Sequence, residues 1–97
     1  MGSKVSKSIM QTGDPRCFLC GSQLDLERHH VIGGVANRKL SEKYGLTVWL
    51  CAAHHRGVEG VHSRYEANER LKRLAQIAFE ARHSHAEWME VFRKNYL

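Results

Sequence analysis

The chain has 97 residues, of which 42% are hydrophobic and 26% are charged. This length suits one small domain, and this composition is typical of a folded protein rather than of a disordered segment. No apolar run is long enough to indicate a membrane span or a secretory signal, so a cytoplasmic location without a membrane partner is expected. The formal net charge of +5 favours a polyanionic partner such as nucleic acid, although many small basic proteins bind none.

The first residues predict an arm, a short strand and a metal-binding turn. A flexible arm is expected over about residues 1–8, and Ser8–Gln11 predicts a short strand that a turn over residues 12–15 ends. The pair Cys17-x-x-Cys20 follows, and its spacing is too tight for a typical structural disulfide. Gly21 comes directly after this pair, as expected where a backbone turns around an ion.

The middle of the chain predicts two further strands and the start of a helix. Alternation over Leu24–Ile32 and β-branched or aromatic residues over Leu46–Leu50 both favour strands. The intervening Ala36–Tyr44 is polar and basic and indicates no more than a helical turn near its end. The second strand leads into a predicted helix that begins at Cys51–His55, and the glycines at 57 and 60 should interrupt it.

The last third predicts two helices, each opened by a capping box. Ser63-x-x-Glu66 and Ser84-x-x-Glu87 both have the spacing in which a hydroxyl and a carboxylate satisfy free backbone donors. The first helix should bury a stripe of Leu71, Leu74, Ile77, Ala78 and Ala81, and the second should bury Trp88, Val91 and Phe92. We therefore expect one α+β domain over residues 1–97, with a core at 9–62 and C-terminal helices at 63–97.

One set of side chains has the composition of a structural zinc site. Cys17, Cys20, Cys51 and His54 form two closely spaced pairs, and four nitrogen and sulfur ligands suit a closed tetrahedral zinc ion. Such an ion would also stabilise a small core, because its binding energy adds to the folding free energy. His55 is an alternative fourth ligand, and three free cysteines are the alternative to a metal site.

A second set consists of histidines that the zinc site does not use. His29 and His30 end a predicted strand, where neighbouring side chains point to opposite faces and therefore have different tasks. His55 lies in the predicted helix, and His62 follows it. Together with the two cysteine-bearing pairs, the segments Glu27-Arg28-His29-His30-Val31 and Leu50-Cys51-x-x-His54-His55 resemble the HNH endonuclease family. Gly33-Gly34 and Gly60-Val61-His62 are similar to its phage-type members, and the resemblance covers about residues 9–62.

The resemblance implies a ββα-metal fold and a role for each of these residues. His29 and His55 would bind a catalytic divalent ion such as Mg²⁺, Mn²⁺ or Ni²⁺, and His30 would be the general base. The family often has an asparagine before the second cysteine pair, which this chain lacks there. Asn37 is the candidate substitute, holding the base-bearing strand by hydrogen bonds. The last family histidine usually lies one helical turn after the ligand, where this chain has Glu59, so His62 or Glu59 would complete the set.

The resemblance also implies a function, which the charge supports. The protein would hydrolyse phosphodiester bonds of nucleic acid, with double-stranded DNA as the expected substrate and with little sequence specificity unless a protein partner supplies targeting. A phage-encoded protein would act in the host cell. The basic residues that flank the histidines are candidates for phosphate contacts: Arg28, Arg38, Lys39 and Arg56. The alternative is a non-catalytic zinc-binding module that binds nucleic acid or a protein, which would need no histidines beyond the zinc site.

Overall fold

The chain forms a two-stranded antiparallel sheet and helices, as a computed structural model describes for residues 7–57, 60–62 and 64–97. This arrangement confirms the expected α+β class. In chain order the elements are β1 (Leu26–His30), α1 (Val35–Tyr44), β2 (Thr47–Cys51), α2 (Ala52–Arg56), α3 (Tyr65–Glu80) and α4 (His85–Phe92). Among the described residues, no helix is long and apolar enough to cross a membrane.

The register of β1 and β2 separates the two neighbouring histidines. His29 is opposite Val48, and His30 is opposite Thr47. Because side chains alternate along a strand, His29 and His30 lie on opposite faces of the sheet. His29 is buried, with 4% of its surface exposed, whereas His30 is only half-buried.

The segment Ser8–Gln11 lies against β2 without forming the expected strand. Ser8 Oγ accepts hydrogen bonds from the backbone of Met10 and Gln11 and donates to the carbonyl of Thr47. Gln11 Oε1 accepts the backbone N–H of Trp49. Side-chain groups therefore make the bonds that a strand ladder would have made. Of the predicted arm, residues 1–6 lie outside the described residues, and Ser8 is bound to β2.

Helix α1 occupies the stretch where the sequence indicated only a turn. Its end is fixed by Gly45, which has a φ of 73° and donates its N–H to the carbonyl of Glu42. The buried Ser41 joins α1 to the chain after β1, since its Oγ accepts the N–H of Ile32 and donates to the carbonyl of the same residue. Tertiary contacts of this kind stabilise a helix whose sequence has little apolar periodicity.

Helices α3 and α4 complete the core around Phe79 and Trp88, whose rings lie 5.3 Å apart between centroids. The capping box of Ser84 and Glu87 is confirmed. At the start of α3 the N-cap residue is Arg64, while Ser63 of the other predicted box lies outside the described residues.

The buried face of α3 differs from the predicted stripe. Leu71 is buried as expected, but 36% of Leu74 and 53% of Ile77 are exposed. Residues at four-residue steps from Leu71 face the core instead, namely Ala75 and Phe79. The prediction was wrong because the large ring of Phe79 fixes the rotation of the helix against α4, and the stripe left this residue out.

Candidate metal centres

Three elements bring the cysteines together with His54. The turn before β1 carries Cys17 and Cys20, β2 ends at Cys51, and α2 carries His54. The turn is closed by a hydrogen bond of 2.8 Å from the N–H of Gly21 to the carbonyl of Cys17, with Gly21 at a φ of 80°. The N–H of Phe18 donates to the carbonyl of Trp49, which fastens the turn to β2.

The spacing of the four side chains fits a tetrahedral ion. Two ligands of one zinc ion lie about 3.8 Å apart when both are sulfurs and about 3.6 Å apart for a sulfur and a nitrogen. The Sγ atoms of Cys20 and Cys51 are 3.8 Å apart. Nδ1 of His54 lies 3.7 Å from Sγ of Cys17 and 3.3 Å from Sγ of Cys51. No disulfide links these cysteines, and the cluster, which includes His54 rather than His55, could hold a metal such as zinc.

The local backbone favours the thiolate form of Cys17. Burial raises the pKa of this thiol, but hydrogen bonds from the backbone of Cys51, Cys20 and Leu19 outweigh burial and lower the pKa to about 6. The thiolate is the form that binds a metal, so the donors that stabilise its charge also prepare it as a ligand.

A second cluster consists of His29, His55 and His62, whose ligand atoms all lie within 4.8 Å of one another. The Nε2 atoms of His55 and His62 are 3.1 Å apart, and each of these rings is 5.2 Å from the ring of His29 between centroids. His62 reaches this position because the chain turns back after α2. The N–H of Val61 donates to the carbonyl of His54, and a Cβ atom at Gly60 would lie only 2.8 Å from the backbone of His55. The alternative ligand Glu59 lies outside the described residues.

His29 contributes a buried nitrogen that lacks a protein partner. Among the described residues, no hydrogen bond reaches its Nε2. Burial, and secondarily the neighbouring His55 and His62, lower the pKa of His29 to about 3, so the ring is neutral near pH 7. A buried polar atom without a partner is costly, and a lone pair inside a group of imidazoles suits a metal ion.

Glu27 orients His55 and was not predicted as part of the site. Its Oε1 lies 2.6 Å from Nδ1 of His55, and its carboxylate also accepts hydrogen bonds from Arg56. These hydrogen bonds, led by the one from His55, lower the pKa of Glu27. The signal was present in the sequence, because Glu27 and His29 are two residues apart on one strand and share a face.

His30 is held by Glu42, on the other side of the strand. Its Nε2 lies 3.0 Å from Oε1 of Glu42, whose other oxygen is 3.0 Å from the guanidinium of Arg28. Within the described residues the side chain of Asn37 makes no hydrogen bond to β1, so its role in holding this strand stays a prediction. Glu42, further along α1, instead contacts His30 of β1, and Ser41 bonds the backbone of Ile32 just after the strand. The sequence offered no signal for Glu42, since only the fold brings α1 against β1.

The four basic residues have different surroundings. Arg28 and Arg38 line a hollow of about 390 Å³ together with the three clustered histidines and His30. Lys39 lies at a neighbouring hollow beside His30 and Glu42. Arg56 forms an ion pair of 2.7 Å with Glu27. Arg28 and Arg38 therefore border the histidine cluster, and Lys39 lies next to this hollow. Arg56 is instead paired with the carboxylate that contacts His55.

Comparisons of the chain with protein families, with curated proteins and with solved structures find no match. A function is therefore inferred from the geometry of the two clusters and from the charged residues around them.

Proposed function

We propose that this protein is a divalent-metal-dependent endonuclease of the HNH type, with a ββα-metal core, that hydrolyses phosphodiester bonds of nucleic acid. Double-stranded DNA is the proposed substrate. The observation that carries the proposal is the buried Nε2 of His29, which has no hydrogen-bond partner in the described part of the chain and lies within a group of three imidazoles. A non-catalytic zinc module would need only the Cys3His cluster.

The donor set of the histidine cluster fits a divalent transition-metal ion. Two nitrogens that bind one tetrahedral ion lie about 3.3 to 3.4 Å apart, close to the 3.1 Å between the Nε2 atoms of His55 and His62. Imidazole ligands suit Ni²⁺ or Zn²⁺ better than Mg²⁺, which prefers oxygen ligands. When bound, the ion would supply stabilisation of negative charge on the phosphate and on the leaving oxygen.

We assign to His30 the acceptance of a proton from the attacking water, because His30 borders the same hollow as the three clustered histidines. Glu42 accepts a hydrogen bond from Nε2 of His30, so the proton belongs on that nitrogen and the lone pair on Nδ1. Water then attacks phosphorus while its proton passes to Nδ1, and the bond from phosphorus to the 3′ oxygen breaks. The products are a 5′ phosphate and a 3′ hydroxyl, whose proton comes from solvent.

The residues around the cluster support binding of a phosphate at this place. Arg38 and Arg28 line the hollow that the histidines share, and guanidinium groups bind phosphate oxygens in pairs. A zinc ion in the Cys3His cluster would hold α2, and therefore His55, against the two-stranded sheet.

A plasmid-nicking assay with added Ni²⁺, Mn²⁺ or Mg²⁺ tests this proposal. The variant His30→Ala should cut about 10²- to 10⁴-fold more slowly than the unchanged protein, because proton transfer is lost. Its zinc content and its affinity for Ni²⁺ should stay unchanged, since His30 is outside both clusters. His85→Ala is the matched control, because this exposed histidine lies at the start of α4, where it pairs with Glu80. Equal rates for His30→Ala and the unchanged protein would reject His30 as the base, and no cutting with any metal ion would favour the non-catalytic zinc module.

A further inference from the structure

A second hollow adjoins the first one at the same histidines. It measures about 290 Å³ and shares His29, His30 and His62 with the hollow that Arg28 and Arg38 line. Its remaining wall includes Asn68 and Lys72 of α3 and Tyr96 of the C-terminal segment. The histidines therefore border two adjoining open spaces, each with a positive charge on its wall.

The ammonium group of Lys72 is held at this hollow rather than extended into solvent. Its Nζ lies 5.4 Å from the centre of the Tyr96 ring and 3.4 Å from Oε2 of Glu69. Tyr96 is fixed in turn, because its N–H donates to Oε1 of the buried Gln76 at 2.7 Å. An ammonium group has three donors, so the pair with Glu69 leaves capacity for an anion.

Asn68 lies one helical turn before Lys72 and borders the same hollow. An amide donor next to an ammonium group is a combination that proteins use to contact phosphate and sugar oxygens of a nucleic acid backbone. Arg38 lines the first hollow and this pair lines the second, so a strand whose scissile phosphate lies at the shared histidines could contact both walls.

We infer that the substrate strand crosses the histidine cluster through both hollows, and that Lys72 with Asn68 binds a phosphate next to the scissile one. This inference rests on the proposed function. It makes α3 part of the nucleic acid interface, and it assigns the C-terminal segment the task of positioning Lys72 through Tyr96.

The test compares two lysines that contact the same ring. Lys94 also lies against Tyr96, with its Nζ 5.2 Å from the ring centre, but it is not part of the wall of the hollow. Binding of a fluorescein-labelled DNA duplex to the zinc-loaded protein is measured by anisotropy over a range of salt concentrations, without a catalytic metal. Lys72→Gln should weaken binding about 10-fold at low salt, because a charged hydrogen bond is lost. It should also reduce the slope of log K against log salt by about 0.9.

Two control variants make the result specific. Lys94→Gln should leave the affinity and the salt slope unchanged, and Lys72→Arg should restore most of the affinity because it keeps the charge. Equal binding by Lys72→Gln and the unchanged protein, or an equal loss in Lys94→Gln, would overturn the inference. If the unchanged protein still cuts DNA in that case, only the inference fails; if it neither binds nor cuts DNA, the proposed function fails as well.

Discussion

Replacing Glu27 by glutamine changes the hydrogen bond that orients His55 and leaves the shape of the side chain almost unaltered. In the structure, Oε1 of Glu27 lies 2.6 Å from Nδ1 of His55. A carboxylate can only accept, so Nδ1 carries the proton, and the lone pair of His55 lies on Nε2, which is 3.1 Å from Nε2 of His62. A glutamine amide can present its oxygen or its nitrogen, so the variant loses the preference for this tautomer.

The expected effect is weaker binding of a divalent ion at the histidine cluster. Loss of a group that orients a metal ligand typically costs about 10- to 100-fold in metal affinity. In this protein 28% of the Glu27 side chain is exposed, and water can replace part of the lost hydrogen bond. We therefore expect the lower part of that range, about 10- to 30-fold.

Calorimetric titration of the zinc-loaded protein with Ni²⁺ measures this affinity directly. The zinc content should stay unchanged in Glu27→Gln, because Glu27 is not part of the Cys3His cluster. Arg56→Ala is the matched control, since it removes the other partner of Glu27 and leaves the carboxylate on His55. This ion pair is largely exposed, so its loss should change the Ni²⁺ affinity by no more than about 2- to 3-fold.

Two results would refute this reasoning. If Glu27→Gln binds Ni²⁺ as tightly as the unchanged protein, the carboxylate does not select the tautomer of His55. If Arg56→Ala loses as much affinity as Glu27→Gln, the effect comes from the net charge near the cluster and not from the hydrogen bond.

The remaining predictions concern stability. Cys17→Ala should abolish tight zinc binding and cooperative thermal unfolding, because three ligands cannot close the tetrahedral site. Metal analysis measures the zinc content, and circular dichroism follows the thermal unfolding. A variant that still binds zinc and unfolds cooperatively would contradict this prediction. Hydrogen bonds from Gln76 and then from His85 lower the pKa of Glu80. This carboxylate therefore stabilises the fold above its unfolded pKa and loses that contribution as the pH falls through its lower folded pKa. The difference in Tm between the unchanged protein and Glu80→Gln should thus shrink from about pH 6 to about pH 3, and a constant difference would exclude this linkage.

The ligand clusters were the part of the site that the sequence predicted best. Cys17 and Cys20, like Cys51 and His54, are separated by two residues, and such short spacings determine geometry locally. Alternation along β1 likewise predicted that His29 and His30 would face different surroundings, and the structure places one in the histidine cluster and the other on Glu42. Local rules sufficed within each pair, whereas the joining of the two cysteine-bearing pairs was inferred from their ligand types.

The side chains that contact these histidines could not be predicted, because they come from segments that are distant in the chain. Glu42 meets His30 only because α1 forms and packs on β1, and the sequence of α1 showed too little apolar periodicity to predict the helix. Asn37 was chosen as the only asparagine between the two predicted strands, and neither residue type nor position in the chain determines which face of a helix meets a strand. The rotation of α3 was missed for a similar reason, because Phe79 fixes it by packing against Trp88 on another helix.

The two clusters meet in α2, and this short helix couples them. It spans only Ala52–Arg56, a length that is not stable in isolation, and it supplies His54 to one cluster and His55 to the other. Consecutive residues of a helix point about 100° apart, so fixing Nδ1 of His54 among the cysteines also fixes the direction of His55. Glu27 and the close approach of Gly60 then determine how His55 meets His62. An ion in the Cys3His cluster would therefore do more than stabilise the fold, because it would also anchor α2 on the cysteines and so add to the hydrogen bond to Glu27 that orients His55.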